Sequence, residues 1–318
     1  MAQVSNTHDS YDMNSIREDL SDVIYNISPT ETPFLSSCAK VSASNTLHEW
    51  STDTLRAAAD NAHIEGNETT FEARTSVTRL GNRTQIYKNA VIVSDTDAGL
   101  SKAGRGKEMG YQILQVLSEQ KLDMERACFL NQAAVTGSST VARKMAGLGA
   151  WIATNTSKGA SGADSSGDGS DVRTDGTQRA FTQALFDDVM QSCWESGGNP
   201  DKVYLNAFQM TKALAFTGMN NQRSTIGASV GGTNAVINAV DVYVTPWGTV
   251  EFVPSRQCRA RDVYVIESDK FAIATLRPTK QTELAKTGDA SKRQVVTEAT
   301  LVSRNEAASG MVADLTTS

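Results

Sequence analysis

Three histidines and four cysteines are the side chains of this 318-residue sequence best suited to nucleophilic or metal chemistry, and their placement argues against both. His8, His48 and His63 all fall in the first 72 residues, a segment too poor in core residues to build a pocket around them. Cys38, Cys128, Cys193 and Cys258 are widely spaced, without the close pair on which a zinc site draws. Four separate thiols, buried and reduced, are expected instead. Asp164, Asp168, Asp171 and Asp175 lie in or beside the low-complexity run SKGASGADSSGDGS. Their spacing misses the alternating acids and closing Glu of an EF-hand loop, so a solvated loop is the favoured reading. Neither GxxxxGK[ST] nor HExxH occurs, and no GxGxxG follows a strand. AKTGD at Ala285–Asp289 lacks the leading glycine and the Lys-Ser/Thr ending of a phosphate loop and is read as a turn between strands. No catalytic residue, cofactor or metal is predicted.

Charge is distributed more informatively than chemistry. Residues 1–72 hold twelve acids against three bases, a balance of −9, whereas the whole chain carries −6, so residues 73–318 sum to +3. Between Ser42 and Thr75 the only large apolar side chains are Leu47, Trp50, Leu55, Ile64 and Phe71. That is too few to offset the ordering entropy of the segment from within the chain, so it should order by lying on a partner. The complementary remainder makes a second copy of the same chain the natural one. An acidic chain does not suit the wrapping of nucleic acid. Arg143 and Lys144 could face DNA, but a solvated charged loop is the favoured reading. No apolar run has the length of a membrane span and no signal peptide begins the sequence, so folding in a cytoplasm and no membrane contact are expected.

The positioning elements follow from periodicity. An arm over residues 1–45 contains a helical stretch, Ser15–Ile27, with Ile16, Leu20, Val23, Ile24 and Ile27 at helical spacing, and an anchor at Pro33-Phe34-Leu35. An extended two-stranded loop is predicted over 46–94, going out through His48-Glu49-Trp50, turning within Asp60–Asn67 and returning through Val77–Val93; limbs of about 15 residues would reach roughly 50 Å. A helix from Ser101 to Gln132, about 45 Å long, keeps one apolar face that breaks at Gln120, which favours a lone helix crossed by a sheet over a coiled coil; residues 95–156 carry it. Residues 157–179 are expected to form a flexible loop. An α/β module over 180–245 comprises a helix Phe181–Ser196 with Phe181, Leu185, Val189 and Cys193 on one side, a strand Lys202–Leu205, and a helix capped by Asn206 and running to Phe216, followed by a loop at Thr217–Asn234 and alternating Val240, Val242 and Val244. Residues 246–318 should close a sheet.

This order of parts, together with SPTETPFLSS (Ser28–Ser37), HEW (His48–Trp50), SDTDAGLSKAGRGKE (Ser94–Glu108), GLGAWIATN (Gly147–Asn155) and the run from Leu276 to Gly310, resembles the podovirus-type major head proteins of the Hong Kong 97-like fold. The resemblance spans nearly the whole chain. It implies an α+β capsid fold with N-terminal arm, extended β loop, long spine helix, peripheral sheet and axial α/β domain. Implied with it are hexamers and pentamers forming an icosahedral virion shell, assembly in the host cytoplasm, a separate scaffolding protein, a portal protein, an optional cement protein, and packaged double-stranded DNA met only indirectly. No pair for a covalent crosslink is identifiable. Intersubunit contacts are expected at Trp50, Leu55, Glu65, Glu68, Phe71 and Glu72 of the loop, and at Arg105 and Lys107 near the spine helix. A tail or head-decoration protein is the alternative, and an enzyme with an unrecognised site the remote one.

Overall fold

The structure, a computed structural model, describes residues 30–69, 71, 73–74, 76–100, 107–216 and 242–317. The predicted helix at Ser15–Ile27, the loop at Thr217–Asn234, Val240, and the site candidates Glu72 and Arg105 lie outside them.

Two fourteen-residue strands, β10 (Phe271–Leu284) and β11 (Ala290–Ser303), form a long hairpin. AKTGD makes its turn, with Gly288 at φ +80°. Strand β4 (Gln85–Ser94) joins β11 antiparallel and β1 (Ala39–Ser42) joins β10 parallel, which completes a four-stranded sheet. Helix α3 (Glu108–Phe129) crosses this sheet, packing Ile113 and Val116 against Val295. Gln120, where the apolar face breaks, is where helix and sheet are bonded: its amide donates to the Tyr87 carbonyl at 3.0 Å and accepts from the Thr297 hydroxyl at 2.8 Å. The helix ends at Phe129, short of the predicted Gln132, because Leu130 turns to extended backbone and the Gln132 side chain is drawn off to the Met145 carbonyl. Its 22 residues span about 33 Å.

A second sheet has six strands in the order β5-β12-β9-β6-β8-β7, namely β5 (Asn155–Ser157), β12 (Gly310–Val312), β9 (Val263–Ile266), β6 (Lys202–Leu205), β8 (Gly248–Pro254) and β7 (Val242–Thr245). The β7–β8 hairpin pairs across the predicted boundary at 245/246, so that boundary cuts through one sheet. Helix α5 (Gln183–Glu195) lies on this sheet through Phe186, Val189, Met190 and Cys193, and Gly197 stops it at φ +83°. The buried stripe is thus turned from the predicted one, centring on Phe186 rather than Leu185. Asn206 caps α6 (Ala207–Ala213) by accepting from the Phe208 amide at 3.1 Å. In β7 it is Tyr243 and Thr245 that point inward, leaving Val242 and Val244 exposed. The aromatic decides the phase, since Tyr243 packs on Phe186 and Phe252 and its hydroxyl accepts from Gln183.

Composition is misleading over 157–179. This segment is packed onto the body: Gly169 bonds both ways, to the Ala134 amide and the Ala150 carbonyl, with φ +78° and no room for a Cβ beside the Trp151 ring. A side chain at Gly159 would meet the Thr177 carbonyl. Its Arg173 is fully buried, ion-paired with Asp262 at 3.3 Å and Asp314 at 3.2 Å, both themselves buried. Glycine here serves close approach, not freedom.

All four cysteines are buried free thiols. Burial pushes the Cys38 and Cys193 thiols up to about 12, and raises Cys128 and Cys258 well above the ordinary value, which makes them unreactive. Alkylation of the native subunit should label none of them at pH 8, and denaturation without reductant should expose four per chain; fewer labels, recovered by reductant, would reveal a disulfide.

Candidate assembly surface

The extended loop is built on a short ladder. Strands β2 (Leu47–Thr52) and β3 (Thr78–Arg83) pair antiparallel from Leu47↔Arg83 to Thr52↔Thr78, about 20 Å of strand. The predicted return limb is therefore two things, since β3 belongs to the excursion and β4 to the body. The ladder is fastened at its root by Asn82, fully buried, which donates to the carbonyls of Leu301 (2.7 Å) and Ala146 (3.2 Å) and accepts from the Ala146 amide (2.9 Å). Beside it Glu298 accepts from the Thr84 hydroxyl and the Arg277 guanidinium, each at 2.7 Å, and pairs with Arg143. Burial alone would raise the Glu298 carboxyl; the Thr84 bond and the two guanidinium groups outweigh it and hold it below the usual range.

Trp50 belongs to this root. Its ring packs at a tilt of 43° against Trp151 with centroids 5.3 Å apart, and it is half-buried against its own body. Part of the apolar surface that covers it is thus supplied within the chain, and its remaining exposed surface stays open to the expected intersubunit contact.

Beyond Thr52 the character changes. Residues 53–77 form no strand or helix among the described residues, and Leu55, Ile64 and Phe71 are 95%, 86% and 95% exposed. The tip turns at Glu65-Gly66, where the Asn67 amide donates to the Ile64 carbonyl at 3.1 Å and Gly66 takes φ +82°. Glu65 and Glu68 are exposed near that turn, and Lys107 is exposed at the start of α3, with no ion pair joining them within the subunit. Burial of an aliphatic or aromatic side chain contributes about 1.5–3 kcal/mol, whereas an exposed ion pair gives about 0–1 kcal/mol. Were this loop covered, Leu55, Ile64 and Phe71 would therefore contribute more than its charges. Asn82, Trp151 and Glu298, which hold the loop root, carry no local sequence signal; their partners lie far along the chain.

Among the described residues no group of three His, Cys, Asp or Glu is placed to hold a metal ion, and no helix is long and apolar enough to cross a membrane. His48 packs near Trp50 and His63 bonds Asn61 on the exposed loop.

The model of the SU10 major capsid protein family matches residues 3–316. The major capsid protein of Escherichia phage Phieco32 is 28% identical over 340 residues, covering 95% of each chain. Among solved structures, the capsid asymmetric unit of cyanophage A-1(L) superposes with a TM-score of 0.68 at 13% identity, covering 95% of this chain and 98% of that one. The capsid of a native GTA particle gives 0.61 at 11% identity, covering 96% and 98%. The architecture is Hong Kong 97-like, and the chain belongs to the SU10 major capsid protein family.

Proposed function

We propose that this major capsid protein builds the hexamers and pentamers of a tailed-phage head by laying residues 53–77 of each subunit over its neighbour. The observation that carries the reading is the exposure of Leu55, Ile64 and Phe71 on an excursion whose root is fixed by Asn82 and Trp50. Three large apolar groups held in water by a rigid base find a use only when something covers them. The role is structural in this reading, and the three histidines have no catalytic part. A separate scaffolding protein, a portal protein and an optional cement protein are its partners, and assembly takes place in the host cytoplasm. Packaged double-stranded DNA meets the shell indirectly; Arg143, one of the two cations that could face it, is committed to Glu298.

Negative-stain microscopy of the protein expressed with its neighbouring genes should show closed shells. Rings or fibres would favour a tail or decoration role, and a small oligomer with turnover an enzyme. Loop charge gives a sharper test. Glu65→Lys with Glu68→Lys should block assembly at low salt, and reversal of Arg105 and Lys107 to Glu should restore part of it. The effect should fade toward 1 M salt, where the screening length falls from about 10 Å to about 3 Å. Normal low-salt assembly of the double variant would mean that the apolar side chains alone place the loop.

A further inference from the structure

A cleft of about 440 Å³ opens between α1 (Pro33–Ser37), α3 and the β10–β11 hairpin, on the face from which the N-terminal arm departs. Leu35, Met124 and Ile273 supply its apolar lining, and Lys40 and Lys121 stand exposed among the lining residues. No carboxylate lines it, and neither lysine makes an ion pair among the described residues. The cleft thus mixes aliphatic and hydroxyl side chains inside, is cationic at the edge, and stands open among the described residues.

We infer that its occupant is the arm of the same subunit, seated through the stripe Leu20, Val23, Ile24 and Ile27. Three observations select it. Residues 1–29 carry five acids and one base, and Glu18, Asp19 and Asp22 adjoin that stripe, which complements the two lysines. The cleft is too small for a whole helix but admits a few aliphatic side chains, as an i, i+3, i+4, i+7 edge would present. Finally, Thr32 lines the cleft, so Ile27 is tethered within five residues of it, at most about 18 Å away. A tether that short gives the arm a high effective concentration at the cleft, an advantage no neighbouring copy shares.

A crosslink in the full-length subunit tests this. Val23→Cys is combined with Thr279→Cys, and separately with Lys40→Cys, and each protein is treated with a short bismaleimide; the native thiols are buried and stay silent. Both pairs should join within one chain in the unassembled subunit, giving an intrachain peptide pair by mass spectrometry. Charge reversal of Lys121 to Glu in the Thr279→Cys protein should cause a several-fold loss of that product at low salt. Crosslinks found only between chains would assign the cleft to a neighbour's arm and overturn the inference. So would the absence of both products, or capture of Phe71→Cys in place of Val23→Cys. The Val23→Cys outcomes do not depend on whether residues 53–77 cover a neighbour.

Discussion

Deletion of residues 61–70 should abolish shells and leave a soluble subunit with nearly unchanged far-ultraviolet circular dichroism. Among the described residues the hydrogen bonds of the deleted stretch are local, joining the Ala62 amide to Asp60, His63 to Asn61 and Asn67, and the Asn67 amide to Ile64. Among the described residues, what holds the root lies below the cut: the β2–β3 register, the Asn82 clamp and the tilted Trp50–Trp151 contact. Folding therefore loses little. Assembly loses Ile64, worth about 1.5–3 kcal/mol if buried in each contact, together with the turn that presents Leu55 and Phe71. Repeated over every subunit of a closed shell, that loss is decisive, since association must first overcome the lost freedom of each subunit. Sedimentation and microscopy decide the outcome, and normal shells from the deletion protein would show that the loop tip is not an assembly element.

Elements whose signal is local were legible in the sequence. The helix stop at Gly197, the Asn206 cap and the AKTGD turn each depend on residues within a few positions, and each stands where the pattern put it. The exposure of Leu55 and Phe71 likewise follows from a segment with too few apolar residues to fold on itself. What escaped depends on distant partners. Trp50 reads as free until Trp151 is folded against it, a hundred residues on. The phase of β7 is set by where Phe186 and Phe252 stand, and a Val/Tyr alternation alone fits either face. Glycine- and serine-rich composition is shared by mobile linkers and by backbones packed too closely for a Cβ, so 157–179 could not be told from a linker without the Arg173 partners 89 and 141 positions away. Family membership was legible for another reason, since short motifs in a fixed order survive where individual contacts cannot be inferred.

Those distant partners carry the largest expected loss of stability, through Asp314→Ala. One Asp314 oxygen accepts from the Gly159 amide at 3.0 Å and Arg173 at 3.2 Å; the other accepts from the Gly176 amide at 2.8 Å and Arg261 at 3.1 Å. Alanine leaves buried Arg173 with Asp262 and a more distant Asp175 at 4.0 Å, and strands two backbone donors. It must also adopt φ +60°, a region that aspartate tolerates better. Breaking one side of a buried charge pair costs about 3–5 kcal/mol, a large share of the roughly 5–15 kcal/mol that separates folded from unfolded domains. Urea titration of the unassembled subunit should show the midpoint fall accordingly, and Arg173→Met added to Asp314→Ala should recover part of it by removing the stranded cation. The loss should also depend on pH in a defined direction. Burial works to raise the Asp314 carboxyl, but the Gly176 and Gly159 amides and Arg173 prevail and hold it below its ordinary 3.8. A depressed carboxyl stabilises the fold above its unfolded value and ceases to do so as pH falls through the folded one. The gap between wild type and Asp314→Ala should therefore be full at neutral pH and narrow below about pH 4. A midpoint shift worth less than about 1 kcal/mol at neutral pH, with an unchanged denaturant slope, would mean that the glycine packing around Asp314 holds this segment and the buried charges do not.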